Sequence, residues 1–243
     1  MGETVVKPYS NESGSKKEQV ATMFNNIAGR YDFLNHFLSL GIDVLWRKKA
    51  IRLLKEGQPK NILDIATGTG DFAIESLSLN PVKVTGVDIS MGMVEVGKAK
   101  IKKRKLEDKI ELLSGDSENL PFADNTFDAI TVGFGVRNFE NLKKGLAEMN
   151  RVLKPGGKVA VLEFSKPTKF PVKQLYRFYF KRITPLIGKI MSKDASAYSY
   201  LPESVQAFPD GEQFTAILKE VGFKNPVIHP LTFGIATIYI AQK

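Results

Sequence analysis

One short segment in the first third of the chain limits its fold more than any other, because it joins an apolar run, two glycines and a helical pattern. Residues 61–66 (NILDIA) predict a buried strand, and the turn Gly68-Thr69-Gly70 follows it. Residues 71–79 then have helical apolar spacing. Glycines at such a junction let the backbone approach a ligand closely, and the helix N-terminus adds a positive field. The segment therefore predicts an α/β fold with a ligand site at this turn.

Strand and helix patterns alternate along the rest of the chain. The predicted strands are residues 61–66, 82–87, 109–113, 127–134 and 158–164, and the predicted helices are residues 71–79, 91–104 and 142–153. This alternation predicts a Rossmann-like, doubly wound and mostly parallel sheet. A helix over residues 211–221 precedes two further strands, residues 225–231 and 235–241. These two strands predict an antiparallel hairpin that completes a seven-stranded sheet.

Two regions depart from this alternation. Residues 18–55 read as helical throughout, and we expect them to form a lid on a single domain that spans residues 18–243. Residues 170–208, after the fifth strand, read as a helical insertion on the substrate side. Residues 1–17 are polar and lack an apolar signal core, so they are expected to form a flexible arm.

Composition excludes several kinds of chemistry. The chain has no cysteine, which removes disulfides, thiolate nucleophiles, cysteine-ligated zinc and iron–sulfur clusters. Its two histidines, His36 and His229, show no metal-ligand spacing, so no metal site is predicted. The formal net charge of +9 is compatible with nucleic acid, an anionic membrane, an anionic cofactor or simply a solvated surface. No apolar run approaches the length of a membrane-spanning helix.

The acidic residue after the second strand indicates what the glycine turn binds. Asp88 follows this strand, where doubly wound folds place the carboxylate that accepts hydrogen bonds from ribose hydroxyls. An adenosine-like ligand is therefore predicted. The spacing Gly68-x-Gly70-x-x-Ala73 also satisfies the pattern for NAD, so the turn alone does not choose the nucleotide.

Three features favour a ligand with an amino-acid moiety over NAD. Asp64 lies inside the first strand, where a carboxylate could meet a cationic or amino-acid group rather than a pyrophosphate. Asp116 follows the third strand and could accept a hydrogen bond from an adenine amine. The chain also ends in a hairpin, where an NAD-binding half would continue with parallel strands. The alternative interpretation is that Asp64 and Asp116 only cap turns.

Three runs resemble motifs of the class I, Rossmann-like methyltransferases. Residues 62–71 (ILDIATGTGD) resemble their motif I, and residues 87–90 (VDIS) resemble their motif II. Residues 151–157 (RVLKPGG) are similar to the turn before their fifth strand. The resemblance implies S-adenosylmethionine as cofactor, without a metal. It also implies that the terminal hairpin is the reversed sixth and seventh strands of that superfamily.

Longer runs narrow the resemblance to one family. Residues 31–47 (YDFLNHFLSLGIDVLWR) and residues 151–167 closely resemble signatures of the menaquinone and ubiquinone biosynthesis C-methyltransferases of the UbiE/MenG type. Residues 134–138 (FGVRN) are similar to a stretch of that family after the fourth strand. The resemblance implies methyl transfer to the quinol ring carbon of demethylmenaquinol, giving menaquinol. It leaves open whether a ubiquinone precursor is also methylated.

The resemblance also implies a set of cofactor-binding residues. By position these are Asp64, Gly68, Thr69, Gly70, Asp88, Ile89, Asp116, Ser117 and Gly133. Relatives often have asparagine-alanine where Asp116-Ser117 stands here, and serine where Gly133 stands. Asp116 still offers an acceptor, whereas Gly133 can contribute only backbone contacts.

Residue types at the end of the fourth strand suit the implied chemistry. A sulfonium methyl is already an activated electrophile, so catalysis consists mostly of positioning and proton removal. We expect Arg137 to stabilise a developing phenolate and Asn138 to orient its oxygen. There are two alternatives: Arg137 could relay a proton through water, or it could form only a surface salt bridge. The expected substrate contacts are Tyr31, Asn35, Phe134 and Tyr198. For Tyr31 and Asn35, a purely structural contact between helices is the alternative.

The insertion at residues 170–208 suits a polyprenylated quinol. Its aromatic and aliphatic residues alternate with lysines and arginines, which is typical of basic amphipathic helices on anionic membranes. An ordinary core-facing helix with a solvated basic face explains the pattern equally well. We therefore expect a cytoplasmic enzyme and keep peripheral membrane contact and a homodimer as hypotheses.

Two other classes of function stay open at this stage. An NAD(P)-dependent oxidoreductase would need a Tyr-x-x-x-Lys or a His–Asp pair near the site, and neither histidine falls in a strand-end loop. A basic RNA-binding module would need a recognisable motif, whereas the positive charges are scattered over helices. Nucleic acid is therefore not an expected partner. Within methyltransferases, O- or N-methylation of another small molecule is the alternative.

Overall fold

The computed structural model describes residues 6–9, 12–32, 39, 41–178, 182 and 196–243. These residues form a seven-stranded sheet with helices packed on it. The strands are β1 Asn61–Ile65, β2 Lys83–Asp88, β3 Ile110–Ser114, β4 Phe127–Gly133, β5 Leu153–Phe164, β6 Lys224–Leu231 and β7 Ala236–Gln242. The helices are α1 Lys16–Ile27, α2 Ile42–Leu54, α3 Asp71–Ser76, α4 Met91–Lys103, α5 Leu142–Val152, α6 Val172–Phe178, α7 Ser196–Ala207 and α8 Glu212–Glu220.

The strand order is β3-β2-β1-β4-β5-β7-β6, which confirms the predicted sheet. Strands β1 to β5 are parallel, and β7 runs antiparallel to both β5 and β6. The order reverses between β1 and β4, and in open α/β sheets the crevice outside the carboxyl ends of such strands is where ligands bind. The glycine turn and the end of β4 both lie at this crevice.

Apolar residues on both faces of the central strands form the core. Ile62, Leu63 and Ile65 of β1 are fully buried, as are Ile130 and Val132 of β4. Strands covered by helices on both faces read as continuous apolar runs, which is why these segments were recognisable in the sequence. The rigid centre of the sheet therefore carries the loops that end at its carboxyl edge.

Two predicted boundaries were wrong by several residues. Strand β5 begins at Leu153, not at residue 158, because Leu153 pairs with Phe127 before the register shifts across the Pro155-Gly156-Gly157 turn. Helix α3 ends at Ser76, not at residue 79, and a 3-10 turn over Leu77–Leu79 follows it.

The first helix begins inside the segment that was predicted to be a flexible arm. Helix α1 begins at Lys16 with Ser15 as its cap, and Glu18 completes a capping box. The helix then packs across the start of α4, where the side-chain oxygen of Asn25 accepts a hydrogen bond from the Gly92 amide at 2.8 Å. This contact satisfies one of the free amides at the N-terminus of α4. The lid region is thereby attached next to the second strand.

Candidate active site

The glycine turn after β1 adopts backbone conformations that favour glycine. Gly68 and Gly70 have φ values of 55° and 85°, and Ala66 has 52°. Non-glycine residues rarely adopt this region, so the loop is held by its surroundings. A Cβ at Gly68 would lie 3.7 Å from the ring of Tyr31. The turn faces a cleft, which Tyr31 also lines.

Asp88 connects the glycine turn to the second strand. Its Oδ2 accepts a hydrogen bond from the Gly68 amide at 2.7 Å, and its Oδ1 accepts one from the Ser90 amide at 2.8 Å. The side chain is largely buried, and this burial raises the pKa of its carboxyl group. Each carboxylate oxygen keeps a second acceptor site. The geometry therefore fits a ligand that presents two neighbouring hydroxyls, as a ribose does.

Asp64 lies behind the turn and does not line the cleft. It is fully buried, and its two oxygens accept hydrogen bonds from the hydroxyls of Thr67 at 2.6 Å and Thr131 at 2.7 Å. Burial raises the pKa of Asp64 to about 7. The carboxylate therefore joins the glycine turn to β4.

Thr69 also points away from the cleft. Its hydroxyl donates a hydrogen bond to the carboxylate of Asp32 and accepts one from the Lys100 ammonium at 2.9 Å. Lys100 lies 2.5 Å from Asp32 and 2.9 Å from Asp71. The network joins the turn and α4 to Asp32, whose neighbour Tyr31 lines the cleft. Thr69 and Gly70 thus shape the site from behind.

Asp116 lies at the rim of the cleft, next to Ser117, and already has a cationic partner. Its Oδ2 accepts a hydrogen bond from the Lys17 ammonium at 2.5 Å, and its Oδ1 accepts one from the Glu118 amide at 2.9 Å. The hydrogen bond with Asp116 raises the pKa of Lys17. Lys17 comes from α1 and lines the cleft together with Ile89. Sequence reasoning missed Lys17, because it falls in the segment that was predicted to be a flexible arm.

The end of β4 is closely packed. A Cβ at Gly133 would lie 2.9 Å from the Phe72 ring, and one at Gly135 would lie 2.4 Å from the Cβ of Ala66. Phe134 between them has a φ of 57°, and its ring centroid lies 4.5 Å from that of Phe164. Gly133 and Phe134 both line the cleft. Glycine at positions 133 and 135 allows the end of β4 to pack this closely, since a larger residue would displace the Phe72 ring or the turn after β1.

Arg137 does not reach the cleft lining, although its neighbour Asn138 does. The Nη1 of Arg137 donates to the Oε1 of Glu163 at 2.7 Å and to the Phe134 carbonyl. Asn138 donates to the same carbonyl at 3.3 Å, and its Oδ1 is buried without a hydrogen-bond partner among the described residues. The turn therefore places Asn138 at the cleft and keeps the Arg137 guanidinium behind it.

Two further residues support this turn and were not predicted. Lys16 donates hydrogen bonds to the carbonyls of Arg137 at 2.8 Å and Phe139 at 2.9 Å. Burial, with a smaller contribution from the Arg137 charge, lowers the pKa of Lys16 to about 8. Glu163 is the only acidic residue in the apolar run of β5, which was a signal in the sequence. Lys16 gave no such signal.

Some predicted site residues lie outside the described residues. Asn35 is one of them, and the side chain of Tyr198 is another. Within the part of the chain that the structure describes, no group of His, Asp or Glu side chains is arranged to hold a metal ion. The lining of the described cleft includes apolar side chains, Asn138, Lys17 and four acidic residues, which are Asp88, Asp116, Glu118 and Glu140.

Comparison with known proteins assigns the chain to a family. Residues 12–243 match the ubiE/COQ5 methyltransferase family. A demethylmenaquinone methyltransferase from Bacteroides fragilis is 54% identical over 98% of this chain and 97% of its own. The ubiquinone/menaquinone biosynthesis C-methyltransferase UbiE from Geotalea daltonii is 49% identical over 94% of this chain and 97% of its own.

A solved structure shows the same fold at much lower sequence similarity. An S-adenosylmethionine-dependent methyltransferase from Thermotoga maritima superposes with a TM-score of 0.65 at 19% identity, covering 91% of this chain and 99% of the other. The family match confirms the predicted enzyme class and decides between the two nucleotides that the glycine turn allowed. The chain belongs to the ubiE/COQ5 methyltransferase family and is an S-adenosylmethionine-dependent methyltransferase.

Proposed function

We propose that this enzyme transfers the methyl group of S-adenosylmethionine to the quinol ring carbon of demethylmenaquinol, giving menaquinol. The observation that carries the proposal is the 54% identity, over nearly the whole of both chains, to a relative named demethylmenaquinone methyltransferase. The apolar and aromatic side chains that face the glycine turn support a flat, uncharged ring as substrate. These include Phe24, Tyr31 and Phe134.

The cofactor is proposed to lie along the carboxyl ends of β1, β2 and β3. Asp88 would accept hydrogen bonds from the two ribose hydroxyls, and the backbone at Gly68 would approach the amino-acid part. Asp116 would accept from the adenine amine, with Ile89 and Ser117 beside the ring. All five residues line the same cleft, which is what supports this arrangement.

Asn138 is proposed to orient the quinol oxygen. Bound S-adenosylmethionine supplies an electrophilic methyl group that needs no metal. The buried Oδ1 of Asn138 would accept a hydrogen bond from the quinol hydroxyl, which orients this hydroxyl and raises the electron density on its oxygen and on the ring. The ring carbon would then form a bond to the methyl carbon while the sulfonium C–S bond breaks, and the proton that the ring system loses would pass to water. Arg137 would stabilise the developing negative charge from behind the turn rather than by direct contact. Replacing Arg137 by alanine tests this role: turnover should be lost while S-adenosylhomocysteine still binds, and unchanged turnover would contradict it.

Methylation of a ubiquinone precursor is a second candidate function. It is favoured by the 49% identity to the Geotalea daltonii relative, whose name covers both quinones. Incubation with S-adenosylmethionine and each reduced precursor in turn, with product mass analysis, separates the two. Menaquinol formation from reduced demethylmenaquinone supports the main proposal, whereas product from the ubiquinone precursor alone would replace it.

We further propose that the enzyme acts at the inner face of the cytoplasmic membrane, where a polyprenylated quinol would reside. No helix of the described residues is long and apolar enough to cross a membrane. In the insertion, however, Phe170, Leu175 and Phe178 are largely exposed. Lys169 and Lys173 lie among them, and the segment 165–178 contains no carboxylate. Exposed apolar side chains among lysines are typical of contact with anionic lipid headgroups.

A second element supports the same membrane face. Phe233, at the turn between β6 and β7, is 83% exposed. Its neighbour Thr232 accepts a hydrogen bond from the Trp46 indole at 2.8 Å. The turn follows Leu231 of β6, which pairs with Ala236 of β7. Ala236 also pairs with Phe164, which lies at the carboxyl end of β5. Phe233 therefore projects at the same edge of the sheet as the cleft.

The division of the chain remains a proposal. Residues 18–243 would form one domain, in which residues 18–55 act as a lid and residues 170–208 as the substrate-side insertion. The contact of Asp32 with Thr69 of the glycine turn supports the lid. A homodimer is still a prediction.

A further inference from the structure

Glu163 is a carboxylate in a place where carboxylates are costly. It lies near the end of β5 and is fully buried among apolar residues. Its Oε1 accepts hydrogen bonds from the Arg137 guanidinium at 2.7 Å and from the Phe164 amide at 2.8 Å. Its Oε2 accepts a longer one, 3.4 Å, from the Arg137 backbone amide. Two of these three contacts are with the same arginine, so Glu163 binds both the backbone amide and the side chain of Arg137.

A gain in the stability of the fold does not explain why this ion pair is buried. Removing two charges from water costs more than their attraction returns in many proteins, and apolar residues of similar volume often do as well. Burial raises the pKa of the Glu163 carboxyl group, while the Arg137 charge opposes that rise. The pair costs free energy and lies directly behind the turn that carries Asn138. We therefore look for its role in the function of the enzyme.

We propose that Glu163 is the positioning residue for methyl transfer: it fixes the turn Val136–Asn138 and offsets the charge of Arg137. The inference rests on the proposed function, because it concerns how Asn138 and Arg137 act on the quinol. By holding the Arg137 amide, Glu163 sets where the next residue, Asn138, meets the cleft. By pairing with the guanidinium, it limits the positive charge that a quinol hydroxyl experiences.

Other polar groups around the pair complete its environment. Lys16 of α1 holds the Arg137 carbonyl, and Tyr176 of α6 is close enough to be influenced by both members of the pair. Tyr200 of α7 is influenced in the same way, and its buried hydroxyl has no hydrogen-bond partner among the described residues. Asp210, beyond α7, also acts on Tyr176. In this set, Glu163 is the group whose charge contacts the Arg137 guanidinium directly.

Two substitutions separate the two parts of the role. Glu163→Gln keeps the shape and an acceptor but removes the charge, which leaves the guanidinium uncompensated. An added positive charge lowers the pKa of a nearby hydroxyl, so the midpoint of the pH–rate profile should move down by about one unit. Glu163→Asp keeps the charge but shortens the reach, so kcat should fall by about tenfold or more through misplacement, with the midpoint unmoved.

The matched control is Glu220→Gln, which removes the charge from an exposed ion pair of the same 2.7 Å length with Lys143. It should change neither kcat nor the pH midpoint. Each variant is assayed with reduced demethylmenaquinone over a pH series, and S-adenosylhomocysteine affinity is measured by calorimetry to show that the cofactor site is intact.

The inference is overturned if Glu163→Gln keeps both the kcat and the pH midpoint of the wild-type enzyme. If Glu163→Gln does not fold, Glu163→Asp decides, and wild-type kcat in that variant overturns the inference. A wild-type enzyme that turns over no quinol at all is a different result, because it contradicts the proposed function itself.

Discussion

The ammonium of Lys17 lies 2.5 Å from the carboxylate of Asp116, the residue expected to accept a hydrogen bond from the adenine amine. The pair joins the first helix to the rim of the cleft. Because Oδ2 of Asp116 has a second acceptor site, the adenine amine and Lys17 can share the same carboxylate. Cofactor binding and the position of α1 are thereby linked.

Substituting Asp116 tests this assignment. Asp116→Ala removes the acceptor and should weaken S-adenosylhomocysteine binding by about tenfold, the value of roughly one hydrogen bond. Asp116→Asn keeps an oxygen acceptor and should stay within about threefold of the wild-type affinity. Asp124→Ala, at an exposed carboxylate paired with Arg151, is the control. Titration calorimetry measures all three, and an unchanged affinity in Asp116→Ala would show that this carboxylate does not contact the cofactor.

An added methyl group at Gly133 should destabilise this protein. In Gly133→Ala the new Cβ would lie 2.9 Å from the Phe72 ring, so the ring or the strand must move. We expect the free energy of unfolding to fall by about 1–3 kcal/mol, as for other overpacked cores. Gly29→Ala is the matched control, because among the described residues no atom beyond its own chain neighbours and helical turn lies within 4 Å of the Cβ that it would add. Equal denaturation midpoints for the two variants would refute the packing argument.

Asp64 should make the protein less stable as pH rises from about 4 to about 7. Its pKa is about 7 in the folded chain against an ordinary value of 3.8, so the folded state binds the extra proton in this interval. Stability then falls with rising pH and levels off above the folded pKa. The upper limit is about 4 kcal/mol for a shift of this size. Urea unfolding of the wild-type protein and Asp64→Asn at several pH values measures it, and parallel curves would contradict the assignment.

The membrane face predicts selective binding to anionic vesicles. Phe233→Ser should reduce flotation with vesicles that contain phosphatidylglycerol, because an exposed aromatic ring no longer inserts at the interface. Val82→Ser is the control: Val82 is 62% exposed but precedes β2, at the opposite edge of the sheet. Binding that is equal in both variants, or equal on purely zwitterionic vesicles, would count against this face.

Local patterns in the sequence were sufficient for the sheet, the glycine turn and Asp88, because each depends on residues close together in the chain. The sequence does not indicate which face of the sheet Asp64 points to. Strand β1 is buried on both faces, so it has no alternation of apolar and polar residues that would distinguish one face from the other. The pairing of Lys17 with Asp116 spans 99 residues, and that of Arg137 with Glu163 spans 26. Such partners become neighbours only through the topology of the sheet, so sequence reasoning found one member of each pair and missed the other.

The most direct test of the central claim is the fate of an isotope-labelled methyl group. Wild-type enzyme is incubated with methyl-labelled S-adenosylmethionine and reduced demethylmenaquinone, and the quinone product is fragmented in a mass spectrometer. We expect menaquinone that carries the labelled methyl group on the ring carbon, and no product from the oxidised quinone. A label on a ring oxygen, or no labelled quinone at all, would contradict it.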